Sequence, residues 1–271
     1  MKATIVTALY DIGRDNIDGR KMEQYLEWFS KTLLFECPMV VYCEEMLNDF
    51  ITKMRPSHLP TKVINQKLEE IPYYYLKPRM DEVLENKEYK LKIKDSERIE
   101  CKVSLYSIIQ YSKFQWVLKT AKSNPFNSEY FFWLDAGASR LIPDVDVRGK
   151  RFPGENFLSQ ILQSPEKTLF QVYVASYPDL ALSQLSLSHD YLYDNRSFVM
   201  GGMFGADRKG IEKSAKLVDE ILVNEMLAKG CLNNEQIALG YLLKRDSSDF
   251  ILFVNDYKIH RNFELIYQSF T

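Results

Sequence analysis

Residues 129–140 read EYFFWLDAGASR, a bulky apolar run that ends on Asp135 and passes through small residues to Arg140. Tyr130, Phe131, Phe132 and Trp133 are too continuous for one face of a strand. A strand apolar on both faces marks the buried centre of a parallel sheet. In an open α/β sheet ligands bind beyond the carboxyl ends of the strands, which is where Asp135 falls. A carboxylate there can hold Mn²⁺ or Mg²⁺ together with diphosphate oxygens, while Ala136 and Gly137 let a ligand approach the backbone. An aspartate that only caps the turn after the strand fits the same letters.

Outward from this segment, short runs rich in β-branched and aromatic residues alternate with longer helical stretches. That is the pattern of a mixed, mostly parallel α/β sheet flanked by helices. Strands are predicted over 3–10, 38–43, 61–64, 129–135, 168–175, 197–204 and 250–255, and helices over 20–35, 44–54, about 97–122, 207–229 and 233–244. The first three strands alternate with helices as successive βα units do. Residues 66–99 break the pattern: IPYYYLKPRM and LENKEYKLKIKDSER are charge-dense, hold two prolines and follow no clean period. They predict a solvated helical insert in preference to an excursion over the cleft. Residues 141–168, with Pro143, Pro153, Gly154 and Pro165, form another irregular connection with a short helix near 155–163. The 271 residues would make one or two domains at ~150 each. With no internal repeat and no low-complexity linker, one domain over 1–271 is predicted.

Composition narrows the function. Thirty-five basic against 37 acidic residues leave a net charge of -2, which argues against bulk nucleic-acid binding. Aromatic residues make up 13% of the chain, with 17 Tyr and 16 Phe; they fill a core or line a cleft that stacks on a base or a sugar. Tyr10 and Tyr73 to Tyr75 are candidates for the second use. Met1 to Tyr10 carries no signal-peptide features, and no apolar run approaches the roughly 18 residues of a spanning helix. Cys37, Cys43, Cys101 and Cys231 stand apart with no C-x-x-C pair, so buried, reduced thiols and a cytoplasmic location are expected.

Several chemistries lack their motifs. The turn after the first strand, YDIGRDNIDGR, is no G-x-G-x-x-G, and no phosphate-cradling G-x-x-x-x-G-K-[ST] occurs. A nucleotidyltransferase would want a glycine-rich loop at the same place. His58, His189 and His260 are too far apart for a local zinc motif, and G-x-S-x-G is missing around Gly137, Ala138 and Ser139. Hydride transfer, ATP hydrolysis and serine hydrolysis all lose ground.

The opening TIVTALYDIGR, the YSK of 111–113, the run NPFNSEYFFWLDAGASR and the later VMGGMFG carry a resemblance. Through them the chain resembles the HtrL/YibB (WlaTC-like) family of bacterial glycosyltransferases over most of its length. The resemblance implies a GT-A type, Rossmann-like fold, a nucleotide-sugar donor (most simply a UDP-sugar) and a surface-glycan acceptor such as lipooligosaccharide or capsule. Such an acceptor, lipid-linked, leaves room for peripheral contact with the inner membrane. In GT-A enzymes a D-x-D motif at the end of a central strand binds metal and nucleotide sugar; Asp135, Ala136 and Gly137 stand where it should be, and the second aspartate is a glycine.

The remaining site residues are weighed against that implication. On the helix 100–122, Val103, Tyr106, Ile109, Trp116 and Val117 form a stripe with Lys113 on it. A lysine on a buried stripe needs an anion, and the resemblance makes that a diphosphate; snorkelling to the surface is the alternative. At the first strand's end Thr7, Ala8 and Tyr10 would line the nucleotide pocket, with Asp11 on base or ribose and Arg14 on a phosphate, unless the two only shape the turn. Arg140 adds positive charge beside Asp135. Gly201 and Gly202 interrupt a β-rich run and mark a close approach by ligand or backbone; the resemblance puts donor sugar and acceptor there. Asn233, Asn234, Glu235 and Gln236 open a helix. Glu235 is the implied group near the reacting sugar carbon, with Gln236 beside it, although acid in a first turn after an Asn233 cap suits any helix. Asp256 and His260 follow the last strand and are candidates to complete a metal shell at Asp135. The incomplete D-x-D keeps a second reading open, a catalytically inactive sugar- or nucleotide-binding protein on the same fold.

Overall fold

In the computed structural model, which describes residues 2–141, 146–154, 161–172, 188–197 and 199–254, strand β4 (Tyr130–Leu134) lies at the centre of the sheet and all five of its residues are buried. Phe131 and Trp133 enter the hydrophobic cluster on one face. Tyr130, Phe132 and Leu134 enter the cluster on the other. The continuous apolar run thus reflects a strand covered on both sides.

β4 pairs in parallel with β1 (Ala3–Leu9), which continues in parallel to β2 (Met39–Cys43) and β3 (Thr61–Asn65). On its other side β4 meets β6 (Val199–Asp207) antiparallel, followed by β5 (Thr168–Val172), antiparallel to β6, and β7 (Phe250–Val254), parallel to β5. The order is β3-β2-β1-β4-β6-β5-β7. The sheet is mixed and mostly parallel, as expected, and β6 is its one reversed strand among the described residues.

Helices α1 (Met22–Thr32) and α2 (Asn48–Met54) lie on one side. Helix α5 (Ser104–Ser123) lies on the other, with α6 (Arg208–Glu220) and α7 (Glu235–Arg245). α6 runs on as a π-helical stretch, Ile221–Met226, to a turn that ends at Gly230 with φ 67. α5 starts later than its apolar period predicts. Val103 is extended, and the preceding residues form the short turn Ile99–Cys101, which buries Glu100. Among the described residues no helix is long and apolar enough to cross a membrane. All four cysteines are buried and unpaired.

The segment 66–99 is helical, but not simply solvated. It holds α3 (Lys77–Glu85) and α4 (Lys87–Lys92), separated by Asn86, whose side chain caps α4 by accepting from the Glu88 and Tyr89 amides. Met80, Val83, Leu84, Tyr89 and Ile93 are buried in the same cluster as α5. The charged residues form only the outer surface, so the insert is part of the core. The short helix expected near 155–163 falls largely outside the described residues.

Candidate active site

The carboxyl ends of β1 and β4 open on a cavity whose walls come from the β1 turn, α1, α5, the turn after β4 and the start of α7. Ala8, Tyr10, Asp11, Arg14, Lys113, Asp135, Ala136, Gly137, Arg140, Glu235 and Gln236 all line it. The fold therefore brings together sequence-predicted residues from four parts of the chain. Thr7 does not belong to the lining: one residue earlier than Ala8, it points to the opposite face of β1 and is fully buried there. Gly201 and Gly202 lie behind the cavity on β6. Asp256 and His260 are outside the described residues.

The floor of the cavity is a three-residue charge cluster. The Lys113 Nζ donates to Glu235 Oε1 at 2.9 Å and to the Gly201 carbonyl at 3.1 Å, and is ion-paired with Asp135 Oδ1 at 3.1 Å. Lys113 is 2% exposed and the Glu235 side chain 3%, whereas the Asp135 side chain is 33% exposed toward the cavity. Asp135 Oδ1 also accepts from the Trp133 indole N–H at 2.7 Å. The anion that a buried lysine requires is thus supplied by the protein itself. Burial alone would depress the pKa of Lys113, but Asp135 and Glu235 outweigh it and hold the ammonium above the ordinary lysine range. Burial pushes the Glu235 carboxyl above the ordinary glutamate range, against the pull of Lys113.

Each member is held by local sequence. Lys113 sits mid-way along α5, one turn after Ile109 and Gln110 and two after Tyr106, all on the cavity side. The turn after β4 is fastened to α1: the Thr32 hydroxyl donates to the Ala136 carbonyl at 2.9 Å and the Ser139 hydroxyl to the Trp28 carbonyl at 2.6 Å. Glu235 opens α7, whose N-cap is Asn234 rather than Asn233. Asn234 also donates to Glu100 at 2.9 Å, and the buried Asn233 amide donates to the Leu192 and Asp194 carbonyls at 2.9 and 2.8 Å. At Gly201, where the letters predicted a ligand or another backbone, the close neighbour is a side chain. A Cβ there would lie 2.0 Å from Glu235 Oε1.

The rim is basic and aromatic. Arg14 is ion-paired with Asp18, donates to the Tyr25 hydroxyl at 2.6 Å and packs over the Tyr106 ring, its Cζ 5.1 Å from the centroid. Arg140 is exposed with its guanidinium 5.6 Å over the Trp28 ring. Arg20 lines the cavity as well. Asp11 accepts from the Gly13 amide at 2.9 Å, shaping the turn while lining the cavity. Tyr10 lies on the wall, but a face of its ring is stacked on Trp116, centroids 5.7 Å apart. Tyr73 is core, Tyr75 is 68% exposed, and none of Tyr73 to Tyr75 reaches the cavity, because their segment packs outside α5. Sequence reasoning missed Arg20, Tyr25 and Gln110; the 106, 109/110, 113 spacing could have found Gln110.

The fit of a divalent metal can be judged from the donors. Among the described residues no group of three or more His, Cys, Asp or Glu side chains could hold one. A Cβ at Gly137 would meet the Trp28 ring at 3.3 Å, so the direction of a second carboxylate leads into α1. Asp135 Oδ1 already accepts from the Trp133 N–H and is ion-paired with the Lys113 ammonium. Among the described residues the donor set does not suit a divalent ion.

Residues 1–254 match the family described as "Bacterial protein of unknown function (HtrL_YibB)". No curated protein matches. Among solved structures, core-mannan synthase A (CmsA/Ktr4) from Aspergillus fumigatus in its Mn/GDP form aligns with a TM-score of 0.51 at 9% identity, over 93% of this chain and 73% of that one. The mannosyltransferase Ktr4p from S. cerevisiae in complex with GDP gives 0.47 at 10% identity, over 93% and 69%. Apo mouse xyloside xylosyltransferase 1 gives 0.42 at 8%, over 100% and 93%. At 9% identity the likeness to core-mannan synthase A is one of fold alone, the GT-A-like sheet.

Proposed function

The chain belongs to the HtrL_YibB family, and we propose that it is a glycosyltransferase that moves a sugar from a nucleotide-sugar donor, most simply a UDP-sugar, to a glycan acceptor such as lipooligosaccharide or capsule. The observation that carries this reading is the Asp135, Lys113 and Glu235 cluster at the carboxyl ends of β4 and β1, facing a cavity with an arginine rim.

Arg20 and Arg140 offer guanidinium forks that match phosphate oxygens, and Arg14, whose fork is held by Asp18 and Tyr25, adds positive charge beside them; together they stabilise the charge growing on the departing nucleoside diphosphate. The exposed carboxylate of Asp135 accepts hydrogen bonds from ribose or sugar hydroxyls. Glu235, balanced by Lys113, contributes negative charge beside the sugar carbon, which favours an oxocarbenium-like centre. The acceptor hydroxyl attacks that carbon as the diphosphate leaves. Metal-assisted departure, expected from the sequence at Asp135 with Asp256 or His260, receives no support from the described donors around Asp135; Asp256 and His260 lie outside the described residues.

The test is a donor-consumption screen over UDP-, GDP- and CMP-sugars with the wild type and Asp135→Ala. One donor should be turned over, and the variant should lose about 100-fold or more in rate while keeping its cooperative melt. Wild-type-like turnover by Asp135→Ala would sink the assignment. Thermal stabilisation by a nucleotide with no sugar released would favour the inactive binding protein instead.

A further inference from the structure

Lys113 has a consequence for how the diphosphate is neutralised. Its ammonium lies between two carboxylates, 3.1 Å from Asp135 and 2.9 Å from Glu235, at 2% exposure. A single positive charge held between paired carboxylates at the carboxyl end of a central strand is the electrostatic arrangement a bound cation would create. Here the cation is covalently part of α5. A divalent ion added at Asp135 would face this fixed like charge, would compete with Lys113 and the Trp133 N–H for Oδ1, and would find no second carboxylate from Gly137. The phosphate charge has other partners: Arg20 and Arg140 line the same cavity and can bind phosphate in bidentate fashion with no need of a bridging ion, and Arg14, held by Asp18 and Tyr25, adds a third positive charge to the rim.

We propose that the site binds and activates its nucleoside-diphosphate donor without a divalent cation, the Lys113 ammonium taking the cation's place between Asp135 and Glu235 and the three rim arginines taking the diphosphate. This rests on the glycosyltransferase reading. The bond changes are those of the transfer itself. The bond from the anomeric carbon to the diphosphate oxygen breaks with its electron pair on the leaving oxygen, the acceptor oxygen forms the new bond, and the acceptor's proton is released.

The test is calorimetric titration of the EDTA-treated full chain with UDP, GDP and CDP, repeated with Mn²⁺, alongside electron paramagnetic resonance of Mn²⁺ added to the protein. The expected result is a nucleotide whose Kd agrees within about twofold with and without Mn²⁺, with the free Mn²⁺ signal undiminished by the protein alone. Arg14→Ala with Arg140→Ala should weaken that nucleotide by about tenfold or more in either condition. Stoichiometric Mn²⁺ binding, or nucleotide binding only when Mn²⁺ is present, overturns the proposal and leaves the glycosyltransferase reading standing. Failure to bind any nucleotide in both conditions overturns the reading and the proposal together.

Discussion

Gly201 is the position where a single methyl group would report most directly on the charge cluster. A Cβ there would sit 2.0 Å from Glu235 Oε1 and 3.3 Å from Gln236 Cγ, so Gly201→Ala must push Glu235 out of its contact with Lys113. We expect a loss of about 1–3 kcal/mol, the usual cost of overpacking, read from urea unfolding, together with loss of transfer. Because the clash is with one side chain, the same substitution in a Glu235→Ala background should cost less than it does in the wild type. Additivity would mean that the strain lies elsewhere. Lys113→Met removes the shared cation and leaves Glu235 buried with no counter-charge. Breaking a buried ion pair from one side costs about 3–5 kcal/mol, so this variant should unfold at much lower urea than Lys113→Arg, which keeps the charge. Equal midpoints would show that the cluster is not held by charge. The sequence exposed Lys113 as a misfit on an apolar stripe, since a buried ammonium must be answered. It could not say by what, because its partners lie 22 and 122 residues further along the chain (135 − 113 and 235 − 113).

At the scale of elements, the segment 66–99 shows where letters mislead. Read as a string it is a run of charges with two prolines. Folded, it is two short helices whose period is reset at Asn86, so no window long enough to show 3.6-residue spacing exists. Met80, Val83 and Leu84 keep the period within α3 alone, and they are buried against the cluster that contains α5. Met80→Ala should therefore cost about 2–5 kcal/mol, whereas Leu91→Ala, at 87% exposure, should leave the denaturation midpoint unchanged. Equal and small effects of both would return the segment to the solvent. Strands β1 and β4 were legible because burial on both faces leaves an uninterrupted apolar run. The lining residues of β1 were not fully so: Thr7 and Ala8 are neighbours in sequence on opposite faces, and which of them meets the cavity depends on where the sheet's helices pack.

For the whole molecule, the order of strands is the part sequence could least supply. β6 lies between β4 and β5 and runs against both, and that placement brings the Gly201 carbonyl and α7 to Lys113. One further tie crosses the molecule. Asp194, whose side chain is 7% exposed, pairs with Lys94 at 2.8 Å and Arg196 at 2.9 Å, and its own carbonyl accepts from the buried Asn233 amide that steadies the entry to α7. Burial alone would raise the pKa of Asp194, but the hydrogen bonds from Arg196 and Lys94 prevail and hold it well below the ordinary aspartate range. A carboxylate with a depressed folded-state pKa stabilises the fold in full above its unfolded value, about 3.9. That stabilisation is lost as the pH falls from there toward the folded-state value. The wild type should therefore exceed Asp194→Asn in urea midpoint by a constant margin at neutral pH, and the margin should shrink as the pH is taken below about 4. A margin unchanged in acid would mean that the aspartate is held by shape rather than charge. In that case the link from the α4 end of the insert to α7 would be one of packing, and its effect on Glu235 would not respond to pH.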